Sequence, residues 1–166
     1  MKEYFLIGKK LPHSYSAKIH CERGFDYSLK ELDEERLGEF LLEKNYAGLN
    51  VTMPYKSAVI KYLDETDLLA KKIGAVNTIV NRDGKLAGYN TDIFGLDFAL
   101  KSAGIDLAGK TVAILGSGGA GKTAKTLAEE NGAKKIYVVS RKGEINYGNC
   151  YDVCRRRVPV RRGFAD

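Results

Sequence analysis

A glycine-rich loop joining a predicted strand to a predicted helix carries the strongest chemical signal in this sequence. The loop follows five apolar or β-branched residues, Thr111–Leu115, and reads Gly116-Ser117-Gly118-Gly119-Ala120-Gly121-Lys122-Thr123. A strand, a tight turn and a helix N-terminus offer free backbone N–H groups and the positive end of a helix dipole, which together hold phosphate. The loop therefore predicts a nucleotide site, although such a turn can also be purely structural.

Two nucleotide-binding motifs overlap in this loop. Gly116, Gly118 and Gly121 satisfy G-x-G-x-x-G, which is typical of dinucleotide-binding domains. The same segment, ending in Lys122 and Thr123, satisfies G-x-x-x-x-G-K-T, the P-loop of nucleoside triphosphatases. Both interpretations require a nucleotide, and the rest of the chain has to decide between them.

The end of the next predicted strand favours one interpretation. A P-loop enzyme needs an acidic residue at the end of a later strand to organise Mg²⁺, but strand 135–139 is followed by Ser140, Arg141 and Lys142. Dinucleotide-binding domains place an acidic residue there for the ribose of NAD, whereas a basic residue accommodates the 2′-phosphate of NADP. We therefore predict NADP as the cofactor. Its predicted site consists of Gly116, Ser117, Gly118, Gly119, Ala120, Ser140, Arg141 and Lys142.

A second group of polar residues lies at the ends of predicted elements in the first hundred residues. Ser14 and Ser16 begin a helix, where hydroxyls can bind a small anion but more often cap the helix. Lys56 follows a strand, at the edge where open α/β sheets bind ligands, although a lysine there is more often a solvated surface residue. Asp92 begins another helix and could equally be its cap.

Strands and helices predicted from periodicity and turn signals would position these groups. Asp33 is predicted to cap helix 34–44, Pro54 to lie in the first turn of a helix, and Thr66 to cap a short helix ending at residue 72. The remaining predicted elements are strands 4–7, 26–32 and 47–51, helix 16–23, a hairpin of strands 78–82 and 85–89 turning at Asp83-Gly84, helix 92–102, and the strand–loop–helix–strand unit at 111–139. The apolar stripe of helix 34–44 is predicted to contain Leu37, Phe40, Leu41 and Leu42.

Composition sets broad limits. The 166 residues can form one ordinary domain, or a small domain and part of another. A hydrophobic content of 44% with 29% charge indicates a soluble globular protein, and three cysteines fit a reducing cytoplasm. No apolar run has the length of a membrane span, and neither histidine has metal-ligand partners at the usual spacing. Five of the nine arginines lie between Arg155 and Arg162, and without them the net charge of +6 falls to about +1, so no nucleic-acid partner is predicted.

Five short motifs follow one another along residues 8–120. They are Gly8…His13-Ser14-x-Ser16…His20, Asn50-Val51-Thr52-x-Pro54-x-Lys56, Gly74-Ala75-Val76-Asn77-Thr78, Gly88-x-Asn90-Thr91-Asp92 and Gly116-x-Gly118-Gly119-Ala120. Taken together and in this order, they resemble the motifs of the shikimate dehydrogenase family. The resemblance covers about the first 145 residues.

This resemblance implies a role for each polar residue. Ser14 and Ser16 would bind the shikimate carboxylate, and Thr52, Asn77 and Asp92 would bind ring hydroxyls. Lys56 would be the acid–base residue. Reducing a ring ketone requires a hydride and a proton for the developing alkoxide. A lysine ammonium can supply positive charge and that proton, and a nearby carboxylate such as Asp92 would orient it.

The resemblance also implies an α/β fold with two domains. Residues 1–102 would form a small α/β substrate-binding domain, 103–145 the first part of an incomplete Rossmann NADP-binding domain, and 146–166 an atypical basic tail. A complete Rossmann domain has six strands, but only about fifty residues follow Gly116. The abrupt change in composition after Tyr147 indicates a truncation or frame change in a longer enzyme, more than a tail that binds nucleic acid.

The expected function is that of an NADP-dependent shikimate dehydrogenase. It would interconvert 3-dehydroshikimate and shikimate in the cytoplasm, in aromatic amino-acid (chorismate) biosynthesis, without a metal, a nucleic acid or a membrane. The alternatives are a quinate/shikimate dehydrogenase, a fragment that only binds shikimate, and a P-loop triphosphatase. Self-association is expected through strand 111–115, because no later strand is available to cover its open edge.

Overall fold

In a computed structural model of the chain, the residues described are 3–12, 14–141, 143–146 and 148–150. These residues form two β-sheets, five α-helices and one 3-10 helix. The elements are β1 (Tyr4–Gly8), α1 (Ser16–Cys21), β2 (Tyr27–Glu31), α2 (Glu34–Glu43), β3 (Gly48–Val51), the 3-10 helix (Ala58–Tyr62), β4 (Glu65–Thr66), α3 (Leu68–Ile73), β5 (Thr78–Arg82), β6 (Lys85–Tyr89), α4 (Asp92–Ser102), β7 (Thr111–Leu115), α5 (Gly119–Glu130) and β8 (Lys135–Val139). None of the helices in this described part is long and apolar enough to cross a membrane.

The larger sheet has six strands in the order β2-β1-β3-β5-β6-β4. Strand β1 pairs in parallel with both β2 and β3, whereas β5 runs antiparallel to its neighbours β3 and β6. The carboxyl ends of β1, β3 and β6 therefore share one edge with the amino end of β5. Asn50 lies opposite Thr78 in this register, which brings the residue before β5 to that same edge.

One face of the six-stranded sheet holds the main apolar core. Ile7, Leu49 and Ile79 from the sheet pack with Leu37 and Leu41 of helix α2. Successive side chains of a strand point to opposite faces of the sheet, so Leu6 of β1 lies on the other face, where it packs with Leu11 and Tyr27 in a smaller apolar cluster. Leu42 was predicted to join the stripe of α2 but is 62% exposed, because it lies about 140° from Leu37 around the helix.

The smaller sheet consists of β7 and β8, which pair in parallel from Thr111 opposite Lys135 to Leu115 opposite Val139. Helix α5 connects the two strands in the βαβ arrangement expected at the start of a Rossmann domain. Leu127 of α5 packs in an apolar cluster with Ile73 and Ile93, which belong to α3 and α4. This cluster connects helix α5 to the six-stranded unit.

Besides the prediction for Leu42, two local predictions are wrong, those for Thr66 and Pro54. Helix α3 is capped by Asp67, whose Oδ1 accepts hydrogen bonds from the backbone of Leu69 at 2.7 Å and of Ala70 at 3.2 Å. Thr66 cannot cap this helix because it lies in β4, paired with Gly88. Asp33 does occupy the predicted N-cap position of α2, in an extended conformation, although its side chain makes no capping hydrogen bond.

The third wrong prediction concerns Pro54. This residue lies in a turn after a cis Met53–Pro54 bond, and the next helix begins only at Ala58.

The predicted hairpin is confirmed. Its two strands have the predicted bounds, and Asp83 and Gly84 both have positive φ, at 52° and 85°. Those angles are the ones that a two-residue type I′ turn requires.

Candidate active site

Lys56 and Asp92 form an ion pair at the common edge of the six-stranded sheet. The Nζ atom of Lys56 lies 2.5 Å from Oδ2 of Asp92, and the two side chains are only 17% and 33% exposed. Lys56 comes from the turn after β3, and Asp92 is the first residue of α4. The shared edge therefore brings together two residues separated by 36 positions in the sequence.

Asn77 fixes the orientation of the Asp92 carboxylate. Its Nδ2 donates to the second carboxylate oxygen, Oδ1, at 2.8 Å, so that each oxygen of Asp92 has its own partner. The same Nδ2 donates to Oγ1 of Thr91, and its Oδ1 accepts the backbone N–H of Thr91, both at 2.8 Å. Asn77 thus connects the start of β5 to the start of α4 and holds the carboxylate toward Lys56.

The hydroxyl side chains of the first two motifs line a cavity that does not include Lys56 or Asp92. Ser14, Ser16 and Thr52 share a cavity of about 400 Å³ with Leu6, Lys10, Leu11 and Pro12. Oγ of Ser14 accepts the backbone N–H of Ser16 at 3.2 Å, although the N-cap residue of α1 is Tyr15 and its side chain makes no capping hydrogen bond. His13, from the same motif, lies outside the described residues.

Tyr27 borders this region from strand β2. Its hydroxyl donates to Oδ1 of Asn50 at 2.9 Å. Burial raises the pKa of Tyr27 to about 12, opposed in part by a hydrogen bond with Ser16. The tyrosine is therefore neutral at physiological pH and serves as a hydrogen-bonding group.

The glycine loop faces Lys56 across a second cavity, of about 460 Å³. Its lining consists of Met53, Pro54, Lys56, Ser57 and Leu115–Lys122. A Cβ atom on Gly119 would lie 3.0 Å from Cδ of Lys56, and one on Gly121 would lie 2.1 Å from the carbonyl oxygen of Gly116. Glycine is thus required at Gly121 to close the turn, whereas a side chain at Gly119 would push the stem of Lys56 slightly away from the loop.

The end of β8 adjoins this loop, because the N–H of Gly116 bonds to the carbonyl of Val139 at 2.8 Å. Ser140 and the exposed Arg141 follow directly. Lys142, also predicted to bind the cofactor, lies outside the described residues. Over the described part of the chain, no group of three His, Cys, Asp or Glu side chains is arranged to hold a metal ion.

Sequence reasoning gave no role to a buried contact beside the site. The side chains of Asn90 and Thr123 are 2% and 1% exposed, and Nδ2 of Asn90 donates to Oγ1 of Thr123 at 3.3 Å. Two sequence signals concerned this pair. Asn90 belongs to one of the five motifs but received no role, and Thr123 belongs to the P-loop match, which indicated a different role.

Known proteins resemble this chain in sequence. Residues 6–79 match the family model described as the shikimate dehydrogenase substrate binding domain. The chain is 46% identical over 152 residues to the shikimate dehydrogenase (NADP(+)) of Clostridium beijerinckii, an alignment that covers 86% of this chain and 56% of that protein.

Solved structures show the same similarity. Shikimate dehydrogenase 1 of Peptoclostridium difficile superimposes with a TM-score of 0.82 at 43% identity, covering 90% of this chain and 62% of that one. The Thermus thermophilus shikimate 5-dehydrogenase, solved in complex with NADP(H) and shikimate, has a TM-score of 0.76 at 34% identity, covering 86% and 57%. This chain therefore spans a little over half the length of these relatives.

Proposed function

Because residues 6–79 match the shikimate dehydrogenase substrate binding domain, we propose that this chain belongs to that family. We propose further that its sheet edge binds shikimate and 3-dehydroshikimate and that its glycine loop binds NADP. The observation that carries the proposal is the position of Lys56. Its ammonium is paired with Asp92, while its stem lines the cavity of the glycine loop. A proton donor is thereby placed next to the loop that would hold a hydride-carrying dinucleotide.

The proposed reaction is the reduction of a ring ketone to an alcohol. NADPH, when bound, supplies the hydride to the carbonyl carbon. The Nζ atom of Lys56 donates a proton to the carbonyl oxygen as negative charge develops there, and it regains a proton from solvent afterwards. The fixed carboxylate of Asp92 holds the ammonium in place, so little reorganisation is needed in the transition state.

Substrate recognition would involve the remaining polar residues of the edge. Ser14 and Ser16 are proposed to bind the substrate carboxylate, and Thr52, Asn77 and Asp92 the ring hydroxyls. The support for this is the common cavity of Ser14, Ser16 and Thr52, together with the short sequence separation of Thr52 from Lys56 on the same turn.

The cofactor would lie along the second sheet. Its pyrophosphate is proposed to bind the backbone N–H groups of Gly116–Ala120 at the start of α5, where the helix dipole favours negative charge. Ser140 and Arg141 would bind the 2′-phosphate. In this proposal residues 1–102 are the substrate domain and 103–145 begin the cofactor domain.

A binding protein without turnover is a second candidate, favoured by one observation. Among the described residues β7 pairs only with β8, and Leu115 at its end is 73% exposed. A Rossmann sheet continues on both sides of this strand, and the nicotinamide half of the cleft would be formed by that continuation.

Two measurements on the 166-residue chain test the proposal. Calorimetric titration with shikimate should show saturable binding, and quinate in a parallel titration tests the choice between the two acids. NADPH oxidation with 3-dehydroshikimate then separates an enzyme from a binding protein. Absence of shikimate binding together with Mg²⁺-dependent ATP hydrolysis would replace the proposal with the P-loop alternative.

A further inference from the structure

Lys122, the lysine of the P-loop-like motif, lines the cavity of the glycine loop, but its ammonium bonds to groups outside the loop. Its Nζ donates to Oγ of Ser57 at 2.9 Å and to the carbonyl of Gly74 at 3.2 Å. Ser57 Oγ donates in turn to the same carbonyl at 2.8 Å. The three groups form a closed triangle that connects α5 to the turn after β3 and to the end of α3. A lysine bound in this way does not cradle phosphates, as a P-loop lysine does.

The hydroxyl of Thr123, the next residue, also makes hydrogen bonds within the protein. Its hydroxyl donates to the carbonyl of Gly119 at 3.1 Å and accepts from Asn90 Nδ2, which also donates to the carbonyl of Ala75 at 2.9 Å. A Mg²⁺-binding hydroxyl would have to face the loop cavity, whereas this one is buried. The threonine therefore continues the connection from the first turn of α5 to residues on either side of the β5–β6 hairpin.

The hydrogen bonds of Lys122 and Thr123 both affect one contact, that between Gly119 and Lys56. Gly119 is the first residue of α5, and its Cα faces the stem of Lys56 so closely that an added Cβ would lie 3.1 Å from Lys56 Cβ. Thr123 holds the carbonyl of Gly119, and Lys122 holds Ser57, the neighbour of Lys56. Any rotation of α5 about these points changes the distance between the loop and Lys56.

We infer that Lys122 and Thr123 are positioning residues, which fix the glycine loop against Lys56 instead of binding a nucleoside triphosphate. The inference rests on the proposed function only where it treats Lys56 as the proton donor. The close approach of Gly119 to Lys56 does not depend on that function. The buried hydrogen bond between Asn90 and Thr123 fixes the position of α5. The more exposed contacts among Lys122, Ser57 and Gly74 limit the rotation of this helix.

The test compares two pairs of matched variants. Thr123→Val removes the buried hydroxyl with little change of shape, and Thr126→Val makes the same change at another buried threonine of α5. Lys122→Met and Lys125→Met remove two exposed ammonium groups from the same helix, and Lys125 pairs with Glu129, one turn further along. Thr123→Ser should restore wild-type behaviour, since it restores the hydroxyl.

The readout is the ε-methylene NMR signal of Lys56 in lysine-labelled protein, assigned by its disappearance in Lys56→Arg. We expect this signal to shift in Thr123→Val and Lys122→Met, and to stay in place in Thr126→Val, Lys125→Met and Thr123→Ser. Shikimate affinity should fall about two- to tenfold in the first two variants, the range for one lost hydrogen bond.

The outcomes separate this inference from the proposed function. A wild-type chain that does not bind shikimate contradicts the proposed function, yet the NMR comparison still decides the positioning role. Lys56 signals that are unchanged in both test variants, or that shift equally in the controls, overturn the inference. So does a titration in which ATP with Mg²⁺ shifts the Lys122 signals at micromolar concentration, since that lysine would then be a phosphate ligand.

Discussion

Lys56 and Asp92 meet at 2.5 Å between Nζ and Oδ2, at a sheet edge where Asn77 holds the other carboxylate oxygen. The arrangement is directional, because Asp92 is held from one side by a neutral amide and therefore presents its remaining oxygen to the lysine. A charge-assisted hydrogen bond of this kind orients the ammonium. The Lys56 prediction below depends on this ion pair, and the others concern the loops, strands and helices around it.

Replacing Lys56 by alanine should abolish most turnover and change shikimate affinity less, because the proton is needed mainly in the transition state. General acid catalysis contributes about 10²–10⁴-fold, so a kcat loss in that range is expected. The measurement requires a chain with a complete cofactor domain. A chimera of residues 1–141 with the remainder of the Clostridium beijerinckii relative provides one, and Lys61→Ala is its control. A kcat near that of the unsubstituted chimera would exclude Lys56 as the acid.

Arg141→Ala should weaken NADP binding and leave NAD binding nearly unchanged, since only the 2′-phosphate would contact the guanidinium. A hydrogen bond to a charged group is worth about 1.5–3 kcal/mol, which corresponds to roughly a 10- to 150-fold increase in Kd. Fluorescence titration of the same chimera with NADPH and NADH measures both. Equal losses for the two cofactors would mean that Arg141 has a structural role.

Gly119→Ala should displace Lys56, because the new methyl group would lie 3.0–3.1 Å from its Cδ and Cβ atoms. Overpacking of this kind costs about 1 kcal/mol or more, whereas alanine at a helix position gains up to about 1 kcal/mol over glycine. Thermal stability should therefore change little while shikimate affinity falls. Gly118→Ala is the matched control, since nothing lies within 4 Å of its added methyl. Similar affinities for the two variants would contradict the packing argument.

Asp64 should contribute to the acid stability of the fold. The backbone N–H of Leu86 and then the Lys44 ammonium lower the pKa of this carboxyl below its usual value. A depressed folded-state pKa stabilises the protein above the unfolded-state pKa of about 3.9, and that contribution is lost as pH falls through the folded-state value. Asp64→Asn should thus flatten the loss of Tm between pH 5 and pH 3. Asp83→Asn, in the turn of the β5–β6 hairpin that contains Leu86, should keep the wild-type slope. Equal slopes for wild type and Asp64→Asn would contradict the assignment.

Self-association through β7 is expected at high concentration, since the described part of the chain leaves one edge of this apolar strand unpaired. A lysine in the middle of an edge strand opposes such pairing, so Ala113→Lys should shift the sedimentation profile toward monomer. Ala99→Lys, on the exposed surface of α4, adds the same charge elsewhere. An unsubstituted chain that remains monomeric at high concentration would contradict the expectation.

Much of the local structure followed from the sequence alone. The Asp83-Gly84 turn, the bounds of β5, β6 and α4, and the strand–loop–helix order around Gly116 were all predicted, because each depends on residues within a few positions of one another. The family resemblance likewise rested on short motifs. Their residues identified the groups from which the edge is built.

Only the tertiary structure decided how those groups meet. The antiparallel pairing of β5 places Asn77 beside Asp92, and the pairing of Thr66 with Gly88 leaves the capping of α3 to Asp67. Lys122 and Thr123 spell a phosphate-binding motif, yet they bond to Ser57 and Asn90 instead. Strand pairing and buried hydrogen bonds join residues far apart in the chain, and a local pattern does not contain the free energy that selects one partner over another.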